Sequence, residues 1–355
     1  MSGAIRASFA VPGDLGAPTG GYVYARRLLA EAGGAGVELT HLALPGGFPR
    51  PSTAELAETG RLLRGLPAGR PVLIDGLALG VLPPELLRAL PGPVIALCHH
   101  PLALETGTGP ADARRLRDSE RAALAATARV VATSATTARS LTADYAVPEA
   151  RLTVACPGTD PAPRAAGSAR DSASPGVAIL SVGSLIPRKG HDVLIGALAG
   201  LADLDWRLTI AGPADRDPAH ARELAGLVGA AGLRDRVSLA GALDAGAIAR
   251  AYDEADLFAL ASRHEGFGMA LTEAMAHGLA VVGSKAGAVP EATRGAAHLV
   301  PPGDRLALRA ALAPLIEDAA ARARLAETCW QAAQGFARWP DTAARVAAAL
   351  REAVP

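Results

Sequence analysis

Along the whole chain, short apolar runs alternate with longer segments whose apolar residues recur at helical spacing. In the first half, runs at Ile5 to Val11, Val37 to Ala43, Val72 to Ile74, Val94 to Leu97, Arg129 to Thr133 and Leu152 to Ala155 predict strands, with helices from about Gly21 to Ala32 and near Thr53 to Leu63. The second half repeats the alternation at Val177 to Val182, Arg207 to Ala211, Val237 to Leu239, Leu257 to Leu260, Ala280 to Gly283 and Ala297 to Leu299. Strands this short and apolar need cover on both faces, so the pattern predicts α/β architecture: two doubly wound, Rossmann-like domains of similar size. Ligands of such sheets sit at the carboxyl ends of the strands. The stretch Pro157 to Gly176 lacks apolar periodicity and is rich in Pro, Gly, Ser and Ala, which predicts a linker, taken as 161–176 between domains at 1–160 and 177–338. A last helix is expected over about Thr342 to Ala353.

Composition narrows the function classes. A chain of 355 residues, half of them apolar, is long enough for two cores. Its formal net charge is zero, and the first half is itself balanced, so no global field draws it to nucleic acid, and peripheral membrane contact has no support from charge. The start, Met1 to Arg6, lacks the charged and apolar blocks of a signal peptide, and no window approaches the roughly 20 apolar residues of a membrane span. The expectation is a cytoplasmic protein. Cys98, Cys156 and Cys329 are far apart and odd in number, which predicts free thiols.

Two segments carry candidate chemistry. Arg263-His264-Glu265-Gly266-Phe267-Gly268-Met269-Ala270-Leu271-Thr272-Glu273 sets two carboxylates eight residues apart around a glycine-bearing turn that opens a helix. A ligand there meets unpaired N–H groups, the positive end of the helix dipole and two acceptors suited to hydroxyls, so a sugar or ribose fits. The second segment, Val177 through Gly183, Ser184, Leu185, Ile186, Pro187, Arg188, Lys189 and Gly190, runs from an apolar strand into two adjacent cations that head a helix. Lys189 and Lys285 are the chain's two lysines among 35 basic residues. A cation pair at a helix start is disfavoured by the dipole, which points to a bound anion.

Together these segments resemble the donor-binding motifs of retaining glycosyltransferases of family 4, the group 1 enzymes that include glycogen-synthase-like and sucrose-synthase-like proteins and have the two-domain GT-B fold. The resemblance continues through Gly278-Leu279-Ala280-Val281-Val282-Gly283 to Pro290-Glu291 and Val300-Pro301-Pro302-Gly303-Asp304, and spans nearly the whole chain. It implies two domains facing a cleft, with residues 339–355 forming a helix that crosses back onto the first domain. It also implies transfer of a hexosyl group from a nucleoside diphosphate sugar, UDP-linked by preference, to a hydroxyl acceptor whose identity stays open.

By the same resemblance Arg188 and Lys189 bind the diphosphate, so neither a metal nor another cofactor is required. Glu273 takes the ribose hydroxyls. Glu265, with the amides of Gly266, Phe267 and Gly268, meets the donor sugar and its reacting face, and Gly183, Ser184, Met269, Ala270 and Leu271 are further substrate-binding residues. The implied reaction is front-face attack, in which the leaving phosphate oxygen takes the acceptor's proton and Glu265 stabilises charge. Gly20 and Gly21, after the first strand, let a helix start approach the phosphates without an intervening side chain. His99 is the preferred site histidine at the end of the fourth strand and His100 the alternative, because the adjacent pair departs from the commoner His-Asp pattern.

Other readings fare less well. Asp203 with Asp205, and Asp215 with Asp217, could suggest a metal site, but no histidine is arranged to complete one, and they read as solvated turns. A nucleotide-linked oxidoreductase lacks Gly-x-Gly-x-x-Gly after either opening strand, and Arg188-Lys189-Gly190 is not the ending of a phosphate loop. An epimerase or phosphorylase of the same fold, or a non-catalytic nucleotide-sugar binder, stays open.

Overall fold

The computed structural model describes residues 4–105, 109–168 and 176–354. The chain divides into two compact units, Met1–Gly158 with Ala337–Pro355, and Thr159–Phe336.

In the first unit six parallel strands form one sheet: β1 (Ile5–Pro12), β2 (Val37–Leu44), β3 (Val72–Asp75), β4 (Val94–Cys98), β5 (Arg129–Ala132) and β6 (Leu152–Val154), in the order β2-β1-β3-β4-β5-β6. The inner strands β3 and β4 are buried at every residue, which is why they read as unbroken apolar runs. The edge strand β2 keeps polar residues at Glu38, Thr40 and His41. The helix Gly20–Glu31 follows β1; Thr19 at its N-cap gives no side-chain bond, and no acid stands in the first turn. The helix Trp339–Glu352 also belongs to this unit: the Trp339 ring lies edge-on to Tyr24 at 5.7 Å, and Thr342 Oγ1 donates to Cys156 O at 2.7 Å.

The second unit repeats the plan with β7 (Val177–Val182), β8 (Trp206–Ala211), β9 (Val237–Gly241), β10 (Leu257–Leu260), β11 (Ala280–Ser284) and β12 (His298–Val300), all parallel and ordered β12-β11-β10-β7-β8-β9. Leu194, Leu198, Trp206, Leu257 and Leu312 fill one side of the sheet, and Phe258, Met275 and Val281 the other. In both sheets the chain reverses its direction of strand addition next to the central strand, which opens a crevice at the carboxyl ends.

Two local expectations are corrected. The segment 161–168 is not a free linker: Ala165 N donates to His277 O at 2.8 Å, Ala166 N to Asp253 Oδ1 at 3.1 Å and Ser168 N to Asp256 Oδ1 at 3.0 Å, so it is docked on the second unit. Its Pro-, Gly- and Ala-rich composition suppresses periodicity, but its backbone amides find fixed acceptors. Residues 169–175 of that expected linker lie outside the described residues. Arg188 and Lys189, expected to head a helix, stand instead in a separate 3₁₀ turn, Pro187–Lys189. Gly190, at φ 65°, then breaks the direction before the helix His191–Ala199 begins.

Candidate active site

The strand β7 delivers Gly183 and Ser184 to the carboxyl edge of the second sheet. Gly183 N donates to Ala211 O at 2.9 Å, and a side chain at Gly212 would run into Gly183 O, so two strand exits approach at backbone distance. Gly190 is fixed similarly, because a β-carbon there would strike Ala261 O at the exit of β10. The turn bearing the cations is thus pressed against the loop bearing Glu265. Arg263 ties the two further: its N–H donates to Arg188 O at 2.8 Å, and its guanidinium forks onto Asp192 at 2.9 and 2.6 Å.

Glu265 sits at the centre of this contact, 5% exposed. Its Oε1 accepts from Lys189 Nζ at 2.7 Å and from Ser262 Oγ at 2.6 Å, while Arg188 Nη1 lies 3.6 Å from Oε2 and donates to His264 O at 3.0 Å. Burial by itself would raise the carboxyl's pKa; the charges of Lys189 and Arg188 and the two side-chain donors overcome it and hold the group down to about 2. Glu265 is therefore a carboxylate throughout the neutral range. Two cations against one anion leave the cluster with an excess positive charge beside the strand ends.

The loop then enters the helix Met269–Ala276 through Gly268 at φ 108°, a conformation that favours glycine, and no side chain caps the helix. The amides of its first residues point at the positive end of the dipole, the arrangement that binds anions. Gly266 is buried, whereas Phe267, Met269 and Ala270 are partly exposed. Leu271 is 1% exposed in the core, and its amide donates to Gly268 O at 3.0 Å, so it contributes packing rather than a free donor. Glu273, one turn inside the helix, is partly exposed. Tyr252 Oη donates to Glu273 Oε2 at 3.1 Å, with Ala270 O at 3.3 Å as its second acceptor, and the Tyr252 ring stacks on His277 at 4.8 Å. Desolvation pushes Glu273 up to about 7; the Tyr252 hydrogen bond and Lys189 pull down, and the Asp160 charge pushes up.

The first unit gathers Gly20, Gly21, His99 and one acid absent from the sequence expectation, Asp75. His99 Nε2 stands 3.3 Å from Asp75 Oδ2, and the other carboxylate oxygen accepts the Leu77 amide at 2.9 Å. Strands β3 and β4 are neighbours with Asp75 opposite Leu97, so the acid and the histidine leave adjacent strands at the same level. A β-carbon on Gly21 would lie 3.6 Å from His99 Nε2, and the Tyr24 ring meets the imidazole edge-on at 5.3 Å. His100 faces elsewhere, 2.6 Å from Glu105.

Sequence reading missed Asp75, Ser262, Tyr252 and Asp192. A carboxyl closing an apolar strand was a legible signal for Asp75; the other three are recognisable only by the side chains they touch. Asp203 and Asp215 are exposed, and Asp217 caps the helix Pro218–Ala230 by accepting from His220 N at 3.0 Å. Among the described residues no group of three His, Cys, Asp or Glu side chains is disposed to hold a metal ion, and no helix is long and apolar enough to cross a membrane. Cys98, Cys156 and Cys329 form no disulfide.

Comparison with known proteins adds the following. The sequence pattern of "Glycosyltransferase Family 4" matches residues 20–163, and that of "Glycosyl transferases group 1" matches residues 171–329. A D-inositol 3-phosphate glycosyltransferase of Kineococcus radiotolerans is 32% identical over 276 residues, 71% of this chain and 63% of its own. An MMP alpha-(1->4)-mannosyltransferase of Mycolicibacterium hassiacum is 27% identical over 333 residues, covering 87% of this chain and 76% of that protein. The match spans a little under two thirds of the inositol phosphate relatives, at 63%, 64% and 62% of their lengths. Among solved structures, a sucrose-phosphate synthase from Thermosynechococcus elongatus superposes with TM-score 0.79 at 22% identity over 98% of both chains. Anabaena HepE, crystallised with UDP and glucose, superposes with TM-score 0.76 at 17% identity over 98% of this chain and 99% of that one.

Proposed function

Because the chain belongs to the group 1 glycosyltransferases of family 4 and has their GT-B fold, we propose that it is a retaining glycosyltransferase. On this reading it moves a hexosyl group from a nucleoside diphosphate sugar, UDP-linked by preference, to a hydroxyl acceptor without a metal. The observation that carries the reading is the cluster of Lys189, Arg188 and Glu265 beside the uncapped helix Met269–Ala276.

Departure of a nucleoside diphosphate builds negative charge on the bridging oxygen, and fixed cations plus helix amides stabilise that charge without reorganising. Arg188 and Lys189 serve this step. Glu265, ionised, held by two donors and flanked by the Arg188 charge, faces the positive charge that develops on the sugar. The acceptor hydroxyl gives its proton to the departing phosphate oxygen as the new bond forms on the same face. Glu273 accepts the ribose hydroxyls of the donor. His99, oriented by Asp75, bonds a sugar hydroxyl, since an imidazole both donates and accepts.

The names of the relatives suggest UDP-linked hexoses as donors and inositol 3-phosphate among the acceptors, and GDP-linked hexoses complete the panel because the donor base is open. Nucleoside diphosphate release that requires an acceptor, with the donor's anomeric configuration retained in the product by NMR, is the expected result. Release without acceptor dependence favours an epimerase or phosphorylase, and an inverted product sinks the front-face mechanism.

A further inference from the structure

The first unit buries a second acid that the proposed reaction does not use. Glu120, on the helix Pro110–Ala125, is 1% exposed, and its Oε2 accepts the backbone N–H of Leu102 at 2.9 Å. Leu102 opens the turn Leu102–Leu104 immediately after His99, His100 and Pro101. At the other end of this segment, His99 O accepts from Thr133 Oγ1 at 3.1 Å. The stretch that carries both histidines is therefore pinned at His99 O by β5's exit and at Leu102 N by Glu120. Pro101 and Leu102 are buried, so no water can replace the acceptor that Glu120 gives Leu102 N.

The groups that face Glu120 are Cys98 at the end of β4 and Tyr145 at the end of the helix Ala135–Tyr145, whose hydroxyl bonds the carboxyl; Arg117, a turn earlier on Glu120's own helix, bonds Tyr145. Leu102 and Gly80 close the remaining side. Burial dominates, and the carboxyl is pushed up to about 8. Glu120 is thus protonated at neutral pH and loses that proton under mildly alkaline conditions.

We propose that Glu120 is a positioning residue for the transfer reaction, its buried carboxyl holding the His99–Leu102 turn so that the His99 ring keeps its place beside Asp75 and Gly21. The assignment rests on the reading of His99 as a site residue. No other described side chain is seen bonding Leu102 N, so loss of the carboxyl frees the turn; ionisation keeps that bond but places a negative charge in a buried pocket beside Cys98, which disturbs the packing under the turn.

Three measurements test this: acceptor-dependent turnover from pH 6 to 9, the melting-temperature shift produced by UDP, and the His99 ring signals in the ligand-free NMR spectrum, assigned with His99→Ala. Glu120→Ala is expected to lower turnover by up to about 10-fold, no more than the loss of the His99 ring itself, while the UDP-induced shift persists. Glu120→Gln keeps an oxygen acceptor without a titrating proton, so it restores turnover at pH 7 and removes the wild-type decline above about pH 8. In the wild type the His99 signals move as pH passes that value; in Glu120→Gln they do not. If Glu120→Ala fails to fold, the comparison of wild type with Glu120→Gln still decides. Full turnover in Glu120→Ala, identical alkaline declines in wild type and Glu120→Gln, or His99 signals indifferent to Glu120 overturn the proposal. Should no nucleotide sugar support transfer in the wild type, the proposed function fails while the NMR comparison still reads the coupling between Glu120 and His99.

Discussion

The polar centre of the second unit binds its own charges tightly, and that of the first leaves its histidine loosely held. Glu265 meets Lys189 at 2.7 Å and Ser262 at 2.6 Å, and these side chains are largely shielded from solvent. His99 touches Asp75 at 3.3 Å and keeps about a fifth of its side chain exposed. A buried carboxylate must be paired where it stands, so the cluster of Lys189, Ser262 and Glu265 is fixed by its own contacts. An imidazole pays little for a long contact and can turn toward a hydroxyl. Under the proposed function, the rigid charges would meet the constant diphosphate and the adaptable imidazole a sugar hydroxyl.

Removing Lys189 should break the comparison most sharply. Lys189→Ala is expected to lower turnover at least about 100-fold by deleting one donor of a preorganised anion site. It should also cost about 3 kcal/mol of stability by stranding the buried Glu265. Arg188→Ala should match it in turnover and fall short of it in stability, since its contact with Glu265 is longer. Near-normal rates with unchanged melting in both variants would remove the diphosphate assignment.

Glu265→Gln comes next, with turnover reduced by about 10- to 100-fold through lost charge stabilisation. Its acid behaviour separates it from the histidine side. A carboxyl whose folded value is depressed contributes stability above its unfolded value, and that stability is lost as pH falls toward about 2. Urea midpoints of wild type should therefore drop more steeply than those of Glu265→Gln between about pH 4.3 and 2; parallel curves would mean that Glu265 is not held by its cations.

His99→Ala should lower turnover about 10-fold, the loss of about one hydrogen bond to a sugar hydroxyl, with donor binding and melting temperature near wild type. A large loss of stability without loss of turnover would make His99 a structural residue.

Glu273→Gln should have the smallest effect on chemistry: nucleotide affinity about 10-fold weaker, with turnover nearly unchanged, as for a group that binds ground and transition states alike. The hydroxyls of ribose bond the ionised carboxylate better, so wild-type affinity for UDP should rise as pH climbs through about 7 and stay flat in the variant. Calorimetric titration between pH 6 and 8 checks this. Treatment with EDTA is expected to leave turnover unchanged; complete loss restored by manganese would bring the aspartate pairs back into consideration.

All twelve strands were legible as apolar runs because parallel strands covered on both faces have little room for polar residues. The helix that carries Glu273 was equally legible, from glycine at its start and apolar spacing within it. Less legible were the segment 161–168, whose partners lie some ninety residues ahead, and the break at Gly190 that sets the cations apart from their helix.

The sequence by itself determined which chemical groups are present and on which strand ends they emerge: Arg188 and Lys189 after β7, Glu265 after β10, His99 after β4. Only the tertiary structure decided their electrostatic state. Glu265 and Glu273 are the same residue type on one short segment, yet the first is held down to about 2 and the second pushed up to about 7. Desolvation pushes both carboxyls up; around Glu265 the charges of Lys189 and Arg188 and the bonds from Lys189 and Ser262 overcome it, whereas around Glu273 the Tyr252 bond does not, and Asp160 adds to the rise. The bonding cation, Lys189, stands 76 residues from Glu265, and charge and solvent exclusion act through space, so no local pattern could have assigned the two states.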